Sequence, residues 1–145
     1  MNDNKAVPGK GAPLRQQDPE AQARMAVAMA ARAREADERQ AQLPAIRLEG
    51  EAALRRLLPI AQRDTGQSGV IARFLLNLYN GERFPFDLTD LRRLDYALFD
   101  DCMAVLNMDY QPAQEVHRYF DHGGATWEAM AKAWGFTDYA GKDWR

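Results

Sequence analysis

One cysteine, two histidines and no long apolar run leave few of the common protein chemistries open to this sequence. The lone Cys102 excludes an intrachain disulfide and lies within an apolar helical pattern, where a free cysteine serves as a small hydrophobe. That usage fits a reducing cytoplasm. The N-terminal MNDNKAVPGKGAP has no apolar core of signal-peptide length, and no later stretch is long and apolar enough to span a bilayer. The expectation is a soluble, cytoplasmic chain with no membrane partner. His117 and His122 stand five residues apart, with Asp121 and Glu115 near them. They lack an HExxH spacing or a cysteine cluster, and structural zinc needs four placed ligands. They read as surface or capping histidines, and no metal is expected.

Nucleotide and nucleophile motifs are missing too. Gly66-Gln67-Ser68-Gly69 has too few glycines and no following Lys-Ser/Thr for a phosphate loop, and Ser68 has no GxSxG context. Cys102 lacks the exposed mouth that an activated thiolate requires. No catalytic residue and no cofactor are expected. A small enzyme with a site assembled from distant residues stays open as an alternative.

What is present is a division of charge and of bulk. Residues 1–48 carry eight Lys/Arg against six Asp/Glu, whereas residues 49–136 carry nine against thirteen. The large apolar and aromatic side chains lie mainly between Leu54 and Trp134. The part able to build a core is therefore acidic and lacks the basic footprint that phosphate binding needs.

Residues 1–18, with Pro8, Gly9, Gly11 and Pro13, read as a disordered tail. Asp18-Pro19-Glu20 is a helix start, with Asp18 as cap and Pro19 at the first helical position. An alanine- and arginine-rich helix follows over 19–42, with only a thin apolar stripe of Met25, Met29, Ala33 and Ala36, and Pro44 is expected to break it. Residues 19–48 thus form an arm and linker, through which a homodimer is possible; a monomer and docking of the arm onto the domain stay equally open.

Residues 49–136 read as a compact all-α, five-helix domain. Leu54, Leu57, Leu58 and Ala61 mark the first helix, which Pro59 should kink or end. Ser68 caps the second, bearing Ile71, Phe74, Leu75 and Leu78 and stopped at Asn80-Gly81. The third spans roughly 89–106, capped by Thr89 or Asp87; Leu91, Leu94, Leu98, Cys102 and Val105 form its stripe, widened by Phe99, Met103 and Leu106. A helix apolar over so much of its circumference is expected to be central. After a turn at Asn107–Gln111, Pro112 opens a fourth helix with Val116, Tyr119 and Phe120. Thr126 caps a fifth with Trp127, Met130, Ala131 and Trp134, closed by Gly135 with Phe136 folding back. Leu75, Leu94, Leu98, Trp127 and Trp134 should be buried. Residues 137–145 form a polar tail in which Tyr139 and Trp144 offer extra contacts.

Function follows by elimination toward a non-enzymatic protein-binding or regulatory module. The acidic edge of Asp95, Asp100 and Asp101 would attract a basic partner. It cannot act as a carboxylate pair, because adjacent helical residues diverge by about 100°. Phe84 and Phe86 would anchor a partner if one ring stays exposed, or finish the core if both turn inward. The rival is nucleic-acid binding by the arm through Arg24, Arg32, Arg34 and Arg39. Glu35, Asp37 and Glu38 interrupt that basic face. Residues 113–134 have the length pattern of a helix-turn-helix, but the second helix would offer only Thr126 and Lys132 beside Glu128 and two core-like tryptophans. Nucleic acid is the disfavoured partner.

From Ser68 to Trp134 the strings GVIARFLLNLYNG, FDLTDLRRLD, VLNMD and WEAMAKAWG resemble a small uncharacterised bacterial domain family of proteobacterial genomes and mobile elements. The resemblance implies a bacterial accessory setting, such as a regulator or small inhibitor of another bacterial machine. It brings no functional residues, and the arm lies outside it.

Overall fold

The computed structural model describes residues 18–142. The tail over 1–18 lies outside them apart from Asp18, as does Trp144. The chain divides into two units, Met1–Gln40 and Ala41–Arg145. Among the described residues every regular element is helical: α1 (Pro19–Ala61), α2 (Gly66–Tyr79), α3 (Tyr96–Tyr110) and α4 (Gly123–Trp134), with 3-10 helices at Leu88–Arg93 and Val116–Tyr119. The compact all-α domain is present, and each of its five expected helices has a counterpart.

In the first unit, Asp18 caps α1 by accepting the Glu20 amide at 3.1 Å. Residues 18–40 are exposed apart from Ala31 and Arg39.

The second unit begins within α1. The break expected at Pro44 does not occur, since α1 continues through both Pro44 and Pro59. An interior proline costs a helix about 3 kcal/mol. Burial of Leu43, Gly50, Ala53, Leu54, Leu57, Leu58 and Ala61 offsets that cost. Pro59 falls in the last turn, so the helix ends two residues later. There Trp134 Nε1 donates to the Ala61 carbonyl at 2.8 Å, satisfying a group that the helix terminus leaves open.

Helix α2 starts a turn earlier than expected. Thr65, not Ser68, is its cap and accepts the Ser68 amide at 3.1 Å. Ser68 is fully buried, and its hydroxyl lies 2.7 Å from that of Thr65. With Val70, Ile71, Ala72, Phe74, Leu75 and Leu76 buried, α2 is the central helix. Trp127 of α4 is buried against it and donates its indole N–H to the Leu75 carbonyl at 3.1 Å.

The third expected helix is divided. Asp87 caps the 3-10 turn through the Thr89 amide, and α3 starts afresh at Tyr96. Its end also differs, because Asn107–Tyr110 is helix and not a turn. Only Cys102, Val105 and Met108 of α3 are buried, so it is peripheral. Leu94, Leu98 and Trp134 pack on the core half-buried, whereas Leu75 and Trp127 are sealed. The fourth helix is reduced to the 3-10 turn at Val116–Tyr119, with Pro112 outside it. Helix α4 begins at Gly123, before Thr126, and His122 flanks it in the left-handed region at φ 54°. Its C-terminus follows expectation. Gly135 is left-handed at φ 66°, and the Phe136 amide reaches back to the Ala131 carbonyl, forming a Schellman motif. Phe136 stacks on Trp134 at 5.7 Å, with the Arg73 guanidinium 4.2 Å from the Phe136 ring centroid on α2's side.

Gly50 sets the approach of α1 to α3. A Cβ there would run into Met108 Cβ and lie 3.0 Å from the Ala104 carbonyl oxygen. Alanine normally stabilises a helix interior over glycine by about 1 kcal/mol. Here the sign inverts. Gly50→Ala should lower stability by about 1–3 kcal/mol through overpacking. Gly66→Ala, where a Cβ meets nothing closer than an arginine tip at 3.9 Å, should be neutral or stabilising by up to about 1 kcal/mol. Urea unfolding of both variants checks this, and equal effects would refute the packing argument.

Candidate protein-binding face

Helix α3 is positioned by contacts along one side and at its start. Asp95 caps it by accepting the Leu98 amide at 2.9 Å, while Gln67 Oε1 accepts the Asp95 amide at 2.7 Å. Arg56 of α1 holds Asp101 with two hydrogen bonds, of 2.8 and 3.1 Å. That pairing raises the Arg56 pKa, mainly through its hydrogen bond to the carboxylate. With Cys102, Val105 and Met108 turned into the core, the opposite side of the helix is committed to solvent.

That outward side is apolar. Tyr96, Phe99, Leu106 and Tyr110 lie on it and, with Met103, which packs back on the core, recur at steps of three and four, the seam spacing of a helix that pairs with another helix. Tyr96 is 90 % and Tyr110 79 % exposed, with Phe99 and Leu106 about two-fifths exposed. Helix α3 contains no Lys or Arg. Asp100 flanks the seam on one edge, beside an open groove of about 490 Å³ shared with Ile46 and Glu49 of α1. Asp109, in the last turn of α3, is half-buried, and its carboxyl is held above the usual range by burial and then by the charge of Glu115. The result is an apolar ridge with an acidic edge at Asp100 and Glu49.

A family model described as a family of unknown function (DUF7673) matches residues 51–135, more than half of the chain. The chain belongs to this family. No curated protein and no solved structure matches it. The DUF7673 segment contains all of α2, α3 and α4, hence the whole ridge; residues 19–40 lie outside it.

The residues singled out from sequence fall in different places. Phe84 is buried, and Phe86 packs edge-on against Phe74 at 5.8 Å, so this loop completes the core. Asn77 holds it by donating to the Phe84 carbonyl at 2.9 Å. An exposed Phe84 anchor is therefore corrected. Asp95 is occupied as a cap and Asp101 by Arg56, leaving Asp100 at the ridge. Arg24 and Arg32 belong to the first unit and are exposed; Arg24 reaches Glu20 at 3.9 Å. The sequence reading missed Tyr96 and Tyr110. It assigned Phe99, Met103 and Leu106 to a core stripe; Met103 does pack on the core, whereas Phe99 and Leu106 are exposed.

The cysteine, a histidine and an ion cluster of the DUF7673 domain sit as follows. Cys102 is buried, and its thiol is pushed up to about 12, first by burial and then by the Asp101 charge. His117 stands edge-on to Tyr79 at 5.0 Å. Among the described residues no three His, Cys, Asp or Glu side chains gather to hold a metal. Among those same residues, no helix is long and apolar enough to cross a membrane. Arg83 binds both Glu128 and Asp138, and Tyr79 donates to Glu128 at 2.8 Å. This cluster ties the segment after α4 to the loop after α2, helped by the Tyr139 amide on the Arg83 carbonyl at 3.0 Å.

The Arg83 hydrogen bonds hold the Glu128 and Asp138 carboxyls below their ordinary range. Depressed carboxylates contribute stability above their unfolded pKa and lose it as pH falls through the lowered folded value. Arg83→Met should therefore lower Tm at neutral pH, with the gap to wild type narrowing below about pH 4. Tyr79 is shifted upward, chiefly by its bond to Glu128. Its contribution is present below its unfolded pKa and lost as pH rises through the folded value, above about pH 10. Thermal melts across pH check both ends; an acid-independent gap would remove the carboxylates from the account.

Proposed function

We propose that this chain is a non-enzymatic protein-binding module whose α3 ridge receives an amphipathic helix with basic flanks. The observation that carries the reading is the exposed seam of Tyr96, Phe99, Leu106 and Tyr110 beside the acidic edge of Asp100 and Glu49. Helix-in-groove recognition uses apolar anchors at this spacing, with aromatic rings supplying much of the energy. The carboxylates select partner charge and speed encounter more than they add affinity. A role as a regulator or small inhibitor in the bacterial cytoplasm fits such a module, since its action would consist in occupying a helix of another protein. The same acidic edge disfavours nucleic acid as a ligand of this face.

The test compares two synthetic helical peptides with identical apolar seams, one flanked by lysine and the other by glutamate. The lysine peptide should bind with a Kd on the order of micromolar and at least about tenfold more tightly than the glutamate peptide. Raising the salt should narrow the difference. Leu106→Asp should abolish binding without loss of helical circular dichroism. Equal binding of both peptides, or binding unaffected by Leu106→Asp, would refute the proposal.

A further inference from the structure

We infer that a ligand of the α3 ridge is the helical arm of a second copy of this chain, residues 21–34, exchanged reciprocally in a homodimer. The inference rests on the reading of α3 as a helix-binding face. Charge complementarity selects the occupant. Between Ala21 and Arg34 the arm carries Arg24, Arg32 and Arg34 and no acid, whereas α3 contains no base and, with Asp101 taken by Arg56, presents Asp100 beside Glu49 of α1 at the edge of the ridge. Arg24 meets Asp18 and Glu20 only at 3.9–4.0 Å on an exposed surface, so these local pairs compete weakly for it.

The arm also supplies apolar anchors. Met25 is 66 %, Val27 68 % and Met29 62 % exposed. Met25 and Met29 are one turn apart, and unbranched methionine adapts to an aromatic ridge such as Tyr96, Phe99 and Tyr110. Lengths agree, since both segments span roughly 20 Å at about 1.5 Å per residue.

The area agrees as well. Aromatic side chains bury about 150–250 Å² each, so the exposed part of the ridge offers roughly 400–500 Å². A two-fold exchange makes this contact twice, and covering arm and ridge together approaches the roughly 1,200–2,000 Å² of stable interfaces. One contact alone would fall short.

Light scattering and sedimentation on the full chain decide the matter, with hydrogen exchange as a second measurement. The expected result is a dimer. Leu106→Asp on the ridge and Met25→Asp/Met29→Asp on the arm should each weaken it at least about tenfold, with circular dichroism unchanged because these positions are exposed. Dilution to monomer should deprotect residues 21–34 and α3 together. A chain that stays monomeric at about 100 µM would overturn the inference. So would a dimer that ignores the arm substitutions; one sensitive to Leu106→Asp alone would assign the contact to α3 against α3. Binding of the lysine peptide to a monomeric chain would leave the helix-binding reading standing while this inference fell.

Discussion

Close approach of α1 and α3 at Gly50 governs how the rest of this domain is exposed. With no Cβ at Gly50, the backbone of α1 lies directly on Met108, and the Arg56–Asp101 pairing holds the same two helices elsewhere along their lengths. A helix clamped along one side has no freedom to rotate. Cys102, Val105 and Met108 are turned inward, which leaves Tyr96, Phe99, Leu106 and Tyr110 turned outward. The ridge thus follows from core packing, with its orientation enforced by a contact on the other side of the helix. Rigid presentation lowers the entropy lost when a partner docks.

Helical content, the core of α2 and α4 and both caps of α1's first turn and α4's last turn were legible because their signals are local. Asp18-Pro19 and Trp134-Gly135-Phe136 act through neighbouring backbone groups, and the periodicity of Ile71, Phe74 and Leu75 describes one buried face. The difficulty lay with α3. Its apolar residues cover two faces, and periodicity alone does not say which face meets the core. The sequence reading merged both into a single wide stripe and ended the helix before Tyr110. Distinguishing them required the positions of Gly50 and Arg56, which are distant in sequence. Pro44 misled for the related reason that a local penalty was overruled by burial further along α1.

The acidic surplus gains meaning in the same way. As a sum it says only that phosphate is a poor ligand. Resolved by position, Asp87 and Asp95 are caps, Asp101 is neutralised by Arg56, and Glu128 and Asp138 share Arg83. Asp100 and Glu49 stay at the edge of the ridge groove. The candidate site retained one carboxylate from the expected edge; of its apolar members, Phe99 and Leu106 had been credited to the core and Tyr96 and Tyr110 to neither face. The histidines and Cys102 lead nowhere comparable, because neither a ligand cluster nor an accessible thiol is present among the described residues.

The arm poses the converse problem. Alanine and arginine favour helix strongly, yet a helix exposed nearly all round gains no burial, and isolated helices are marginal in water. Methionines at Met25 and Met29 are a poor choice for a purely solvated helix, where charged residues serve better. They suit a surface that acquires its partner by association. On the proposed exchange, an apolar ridge with an acidic edge and a methionine-bearing helix with arginines would address the same deficit from opposite sides. Their attraction would be long-ranged and salt-sensitive, while the rings and methionines would determine how long the contact lasts. On the proposed exchange, a competitor for the ridge would have to match both features, because a basic peptide without anchors is screened at physiological salt and an apolar helix without cations meets the Asp100 and Glu49 carboxylates.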